Sequence, residues 1–207
     1  PGEVFSVPPV VDRPLDIDGG TKIQVTAFTL SGAVDRPEQS ILVADIEALL
    51  QTKLAEHADG FTVGRLQEVA DSVTRYYREN GLILAQAFVP VQNVEGGVVT
   101  IQVLEGVLGR VVAEGNEMYS DKVLERPFRD LVGKPVTNAE AESALLQLTE
   151  NPGVTLFGVF QPGQQVGSAD MVVKVQEEKR FNAEVRADNH GIRETGQNRY
   201  RLTGSVN

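Results

Sequence analysis

His57 and His190 are the only histidines in the chain, and there is no cysteine. Disulfides, thiolate nucleophiles and Cys-ligated metals are therefore excluded. His190 follows Asp188 in a polar turn, but Asp-x-His alone does not supply a metal's ligand set. His57 falls late in a helical stretch and reads as a solvated side chain. No Gly-x-Ser-x-Gly elbow occurs. Gly19-Gly20-Thr21-Lys22 resembles a phosphate loop only faintly, lacking the spacing and the preceding strand. Asp16 and Asp18 read as linker polarity, and Glu177-Glu178-Lys179-Arg180 as a solvated junction. These residue types supply no catalytic constellation, no metal site and no cofactor site.

The chain has 207 residues, 41% hydrophobic and 23% charged, enough for two small domains. Aromatics are 6% and Trp is absent, so the core must be built from Val, Leu, Ile and Ala. A net charge of −10 repels phosphate backbones and argues against a nucleic-acid partner. No apolar run is long enough for a membrane helix. The start at Pro1 suits a processed or excised chain.

Residues 1–21, rich in Pro and Gly, read as an extended linker or arm. Lys22–Leu30 alternates as a half-buried strand, and Ile41 to Leu54 follows helical spacing up to Gly60. Thr62 can cap a second helix. Its apolar face is Val63, Leu66, Val69, Ala70, Val73, Tyr76 and Tyr77, and Asn80-Gly81 stops it. Two strands, Ile83–Val91 and Val98–Leu104, follow around Gly96-Gly97.

The same order then recurs. Val107–Glu114 is strand-like. Ser120 can cap a short helix, and Thr137 with Glu140 has the capping-box spacing for another. Val154–Phe160 and Asp170–Gln176 close the unit. Beyond it, Phe181, Ala183, Val185 and Ala187 alternate with polar residues, as do Tyr200, Leu202, Gly204 and Val206. A membrane β-strand needs that alternation, and an amphipathic soluble hairpin would show it too.

Several blocks then resemble one family. They are Leu145–Pro152 through Gln161-Pro162-Gly163, Gly167–Met171, Asp188–Gly191, Thr195-Gly196 with Arg199, and Phe61-Thr62 through Tyr76-Tyr77 and Gly81-Leu82. Together they are similar to the two-partner secretion (hemolysin activator-like) transporters of the Omp85 superfamily. The resemblance implies an α+β fold of two tandem POTRA domains, each β-α-α-β-β with a three-stranded sheet on two helices. The first strands of an outer-membrane β-barrel would follow. The expected organisation is a linker over 1–21, POTRA domains over 22–105 and 106–178, and a truncated barrel start over 179–207.

The family implies a place in the bacterial outer membrane with this region in the periplasm. The partner would be an unfolded secreted protein; neither a small-molecule substrate nor enzymatic activity is expected. Most of the barrel is missing, so this chain alone is not expected to transport. A barrel-assembly protein, an autotransporter and a soluble periplasmic adaptor are the alternatives.

A bare sheet edge can take an incoming extended peptide as another strand. By resemblance, the receiving edge is the second strand of each domain. In the first domain that is Leu84, Ala85, Gln86, Ala87, Phe88 and Val89, beside Val73, Tyr76 and Tyr77. In the second it is Thr155–Phe160, with Phe157 and Phe160. Phe88→Pro is expected to weaken binding by deleting an edge donor.

Overall fold

A computed structural model describes residues 5–6, 22–150, 154–177, 181–188 and 199–206. A two-residue strand, β1 (Phe5–Ser6), comes first. The first unit is β2 (Ala27–Ser31), α1 (Val43–Glu56), α2 (Val63–Glu79), β3 (Gln86–Phe88) and β4 (Val98–Leu104). The second is β5 (Val107–Glu114), α3 (Asp121–Glu125), α4 (Asn138–Thr149), β6 (Val154–Pro162) and β7 (Ser168–Glu177). A hairpin, β8 (Phe181–Asp188) and β9 (Arg199–Val206), ends the described chain.

α2 forms where its sequence says it must. The Thr62 hydroxyl accepts from the Arg65 N–H, satisfying an orphan donor of the first turn. Leu66, Val69, Ala70, Val73, Thr74 and Tyr77 recur at three- and four-residue steps and are buried. The helix ends at Asn80, and Gly81 takes φ 94°, a left-handed value that glycine adopts without a Cβ clash. α4 opens on the full capping box of Thr137 and Glu140. No helix among the described residues is long and apolar enough to cross a membrane, which says nothing of strands.

The first sheet has the order β2-β4-β3, with β4 parallel to β2 and antiparallel to β3. Along β4, Val99, Ile101 and Val103 turn inward onto α2, joining Val69, Val73 and Tyr77 in one core. The second sheet repeats this arrangement as β6-β7-β5 and carries β1 as a fourth strand on β6. Its core gathers Leu108, Leu124, Phe128, Leu145, Leu148, Phe160 and Met171.

Three expectations are corrected. The strand expected over Lys22–Leu30 starts only at Ala27, because Ile23 pairs instead with Phe61 through hydrogen bonds in both directions. The strand expected over Ile83–Val91 shrinks to three residues. Ile83 and Leu84 turn away and pack in the second core, and Ala85 N–H closes a turn onto the Leu82 carbonyl. Finally, His57 is not a solvated side chain: it is half-buried, with its ring edge-on to Phe61 at 5.3 Å. The expectation for His190 lies outside the described residues, as do those for Asp16, Asp18 and Gly19–Thr21.

In the hairpin the register sets Phe181 opposite Val206, Ala183 opposite Gly204, Val185 opposite Leu202 and Ala187 opposite Tyr200. Every apolar position of one strand thus meets an apolar position of the other. Val185 and Leu202 are 73% and 76% exposed.

Candidate polypeptide-binding edges

Each sheet has two edges, and those expected to receive a peptide are β3 and β6. At β3 the outward-facing backbone belongs to Ala87. Its N–H donates to Thr74 Oγ1 at 2.8 Å, and the same hydroxyl lies 3.4 Å from the Ala87 carbonyl and 3.2 Å from that of Ala70. Arg78 Nε donates to the Ala85 carbonyl at 3.2 Å. Side chains of α2 therefore hold the groups that a further strand would need.

Beyond Phe88 the hairpin continues through a side chain. Gln92 Nε2 donates to the Thr100 carbonyl at 2.8 Å, and its Oε1 accepts from the Thr100 N–H at 2.9 Å. A primary amide presents one donor and one acceptor side by side, so it stands in for a strand's peptide group.

Several expected binding residues lie inside the first core. Val73 and Tyr77 are fully buried, as is Ala85, and Ala87 is nearly so. They do not line an open groove, because all four belong to one buried core shared by α2 and the sheet. Tyr76 is half-buried, and its hydroxyl donates toward the Ser40 carbonyl at 3.3 Å. Burial pushes the Tyr77 hydroxyl up to about 12. Phe88→Pro also changes meaning. Neighbouring residues of an antiparallel pair face opposite ways, so with Ala87 facing α2 the Phe88 N–H faces β4. Proline there breaks the sheet's own ladder instead of an outer donor.

β6 is different. Its outer side pairs with β1 in parallel, Phe5 beside Gly158 and Ser6 beside Val159. The Phe5 ring stands edge-on to Phe160 with centroids 5.8 Å apart. Phe160 is core, Thr155 is exposed, and Phe157 is 39% exposed on the opposite face. The structure thus separates the expected residues of this edge, placing Phe160 beneath β1 and Phe157 away from it.

Between the two sheets lies a cleft of about 430 Å³ lined by Arg78, Leu84, Gln86, Leu104, Phe160 and Pro162. Leu84, expected to sit on an edge, instead walls this cleft, and Gln86 lines it from its place on the edge strand β3. Val89 packs against the first core. Among the described residues no group of three His, Asp or Glu side chains gathers in a way that could hold a metal. Glu177, expected in a solvated junction, accepts from the N–H groups of Met118 and Tyr119 and so caps a turn.

The residues sequence reasoning missed are Thr74, Arg78, Gln92 and Phe5. Thr74 gave a signal, a lone hydroxyl on the apolar face of α2. Phe5 stands among Val4 and Val7, a β-prone island within the arm.

Residues 28–106 match the family described as POTRA domain, ShlB-type. Over those residues the chain is similar to a ShlB-type POTRA domain. Over 189 residues, 90% of its length, the chain is 27% identical to the heme/hemopexin transporter protein HuxB of Haemophilus influenzae. Over 142 residues, 69% of its length, it is 29% identical to the outer membrane transporter CdiB of an Escherichia coli O6:K15:H31 strain. These stretches are 32% and 23% of those proteins, so the chain spans at most about a third of their length.

Among solved structures, CdiB from Escherichia coli superposes with a TM-score of 0.64 at 24% identity, over 96% of this chain and 35% of that one. The N-terminal domain of Omp85 from Thermosynechococcus elongatus gives 0.52 at 20% identity, over 76% and 68%. At those identities the likeness is one of fold, and it is the POTRA fold. The same β-α-α-β-β order forms the second sheet, and no closed barrel is present among the described residues.

Proposed function

We propose that this chain is the periplasmic receptor region of an outer-membrane two-partner secretion transporter. It takes an unfolded secreted protein by strand addition and passes it to a barrel that begins at β8 and β9. One observation carries the strand-addition step. The outer side of β6 already accepts an extended segment, β1, in register. Backbone pairing of that kind makes little demand on sequence, which suits a receptor for a long unfolded chain.

The barrel reading is supported by the β8–β9 register, which lines up two apolar sets, and by the exposure of Val185 and Leu202. Lipid would cover such a face. The ShlB-type match, with HuxB and CdiB among the relatives, favours secretion over barrel assembly.

The test takes the secreted protein encoded beside the transporter gene and measures its binding by fluorescence anisotropy. The unfolded form should bind in the micromolar range, about −8 kcal/mol, and the folded form should not. Amides of β6 should gain protection from exchange on binding. Equal binding by folded and unfolded forms would contradict strand addition.

A further inference from the structure

The seat of Phe5 on β6 has a shape of its own. A Cβ built on Gly158 would stand 3.1 Å from Phe5 Cβ, 2.8 Å from Leu145 Cδ1 and 3.0 Å from Met171 Sδ. The missing side chain at 158 therefore makes a floor on which an aromatic residue of a neighbouring strand can rest. Phe160, itself 3% exposed, supplies the wall that meets the Phe5 ring edge-on. Phe5 is only partly buried there, and β1 holds the edge through two register pairs. So short a pairing, held by one ring, can exchange with another strand, whereas β3 is closed by side chains from its own α2.

Building on the receptor reading above, we propose that β6 carries a notch selective for an aromatic residue of an extended chain running parallel to it. The notch is centred on Gly158, and Phe5 is its resident occupant. An incoming polypeptide gains the edge by exchanging its own aromatic residue for Phe5. The arm keeps the edge from pairing with unrelated strands until then.

The probe is a synthetic peptide with the sequence of residues 2–11, along with the same peptide carrying Ala for Phe. It is titrated against three full-length chains: the wild type, Phe5→Ala, and Ser6→Cys with Val159→Cys. Adjacent register partners lie within disulfide reach, and with no native cysteine the engineered bridge is unambiguous.

Phe5→Ala should bind the peptide about tenfold more tightly than the wild type, the equivalent of about 1.4 kcal/mol. The Ala-bearing peptide should bind about tenfold more weakly. The oxidised chain should not bind until reduced, and because that comparison uses one molecule in two states, altered folding cannot imitate it. Equal affinity across all chains, or for both peptides, overturns the notch.

An unfolded secreted polypeptide run against the same chains separates the two readings. If it binds all three equally, the notch and strand addition at β6 both fall, and only receptor binding at another surface of the chain stands. If the peptide exchanges as expected but the secreted polypeptide binds none, the notch stands and the receptor reading falls.

Discussion

Thr74→Val removes the hydroxyl that closes the β3 edge while keeping the side chain's shape. Thr74 is 3% exposed, so water cannot replace the lost partner without the helix lifting. The Ala87 N–H, now bonded at 2.8 Å, becomes a buried donor with no acceptor. Leaving one such group unpaired costs about 1–3 kcal/mol. Relief from burying the hydroxyl itself offsets part of this, so a net loss of about 1.5 kcal/mol is expected. With a urea slope of about 1–2 kcal/mol per M, the midpoint should fall by about 1 M. Thr74→Ser keeps the oxygen and loses one methyl, so it should cost under about 1 kcal/mol. Urea melts of all three chains, with hydrogen exchange at the Ala87 amide, check both effects. A valine variant as stable as wild type, its Ala87 amide exchanging no faster, would refute the closed-edge account.

Further outcomes follow from other sites. Tyr77→Phe removes a buried hydroxyl that makes no well-formed hydrogen bond, and should be neutral or stabilising by about 1 kcal/mol in the same melts. Burial holds the Tyr77 proton to about 12 against an ordinary 10. The unfolded chain therefore ionises first. The folded state's advantage, intact below pH 10, is lost as pH rises through about 12, and a melt series over that range should flatten in the Phe variant. Leu145→Ala opens a hole beneath Gly158 in a fully buried site and should cost about 2–5 kcal/mol by denaturant melt. Asp170→Ala strips the acceptor from the Arg110 N–H and guanidinium and should cost about 1–3 kcal/mol by the same assay.

The order of elements was legible because it is written in local signals. Thr62, the Thr137–Glu140 box and Asn80-Gly81 each mark a boundary through contacts within a few residues. The POTRA topology follows from reading those marks twice. The edges were not legible. Ile83 and Leu84 alternate like strand residues, yet the second core, assembled from residues far along the chain, takes them. Phe5 lies in a segment whose composition reads as linker, and only Gly158 and Phe160 give it a place. Thr74 shows in the sequence only as a hydroxyl on the apolar face of α2, and its partner Ala87 lies 13 residues further on.

The stretch from Gly81 to Leu84 belongs to both halves of the molecule at once. The Gly81 carbonyl accepts from the Asn138 N–H, Leu82 bridges to Thr137, and Ile83 sits in the far core. Such a rivet leaves little room for independent swivelling. Melting of one half strips packing from the other, so heating should produce a single cooperative calorimetric peak for both sheets.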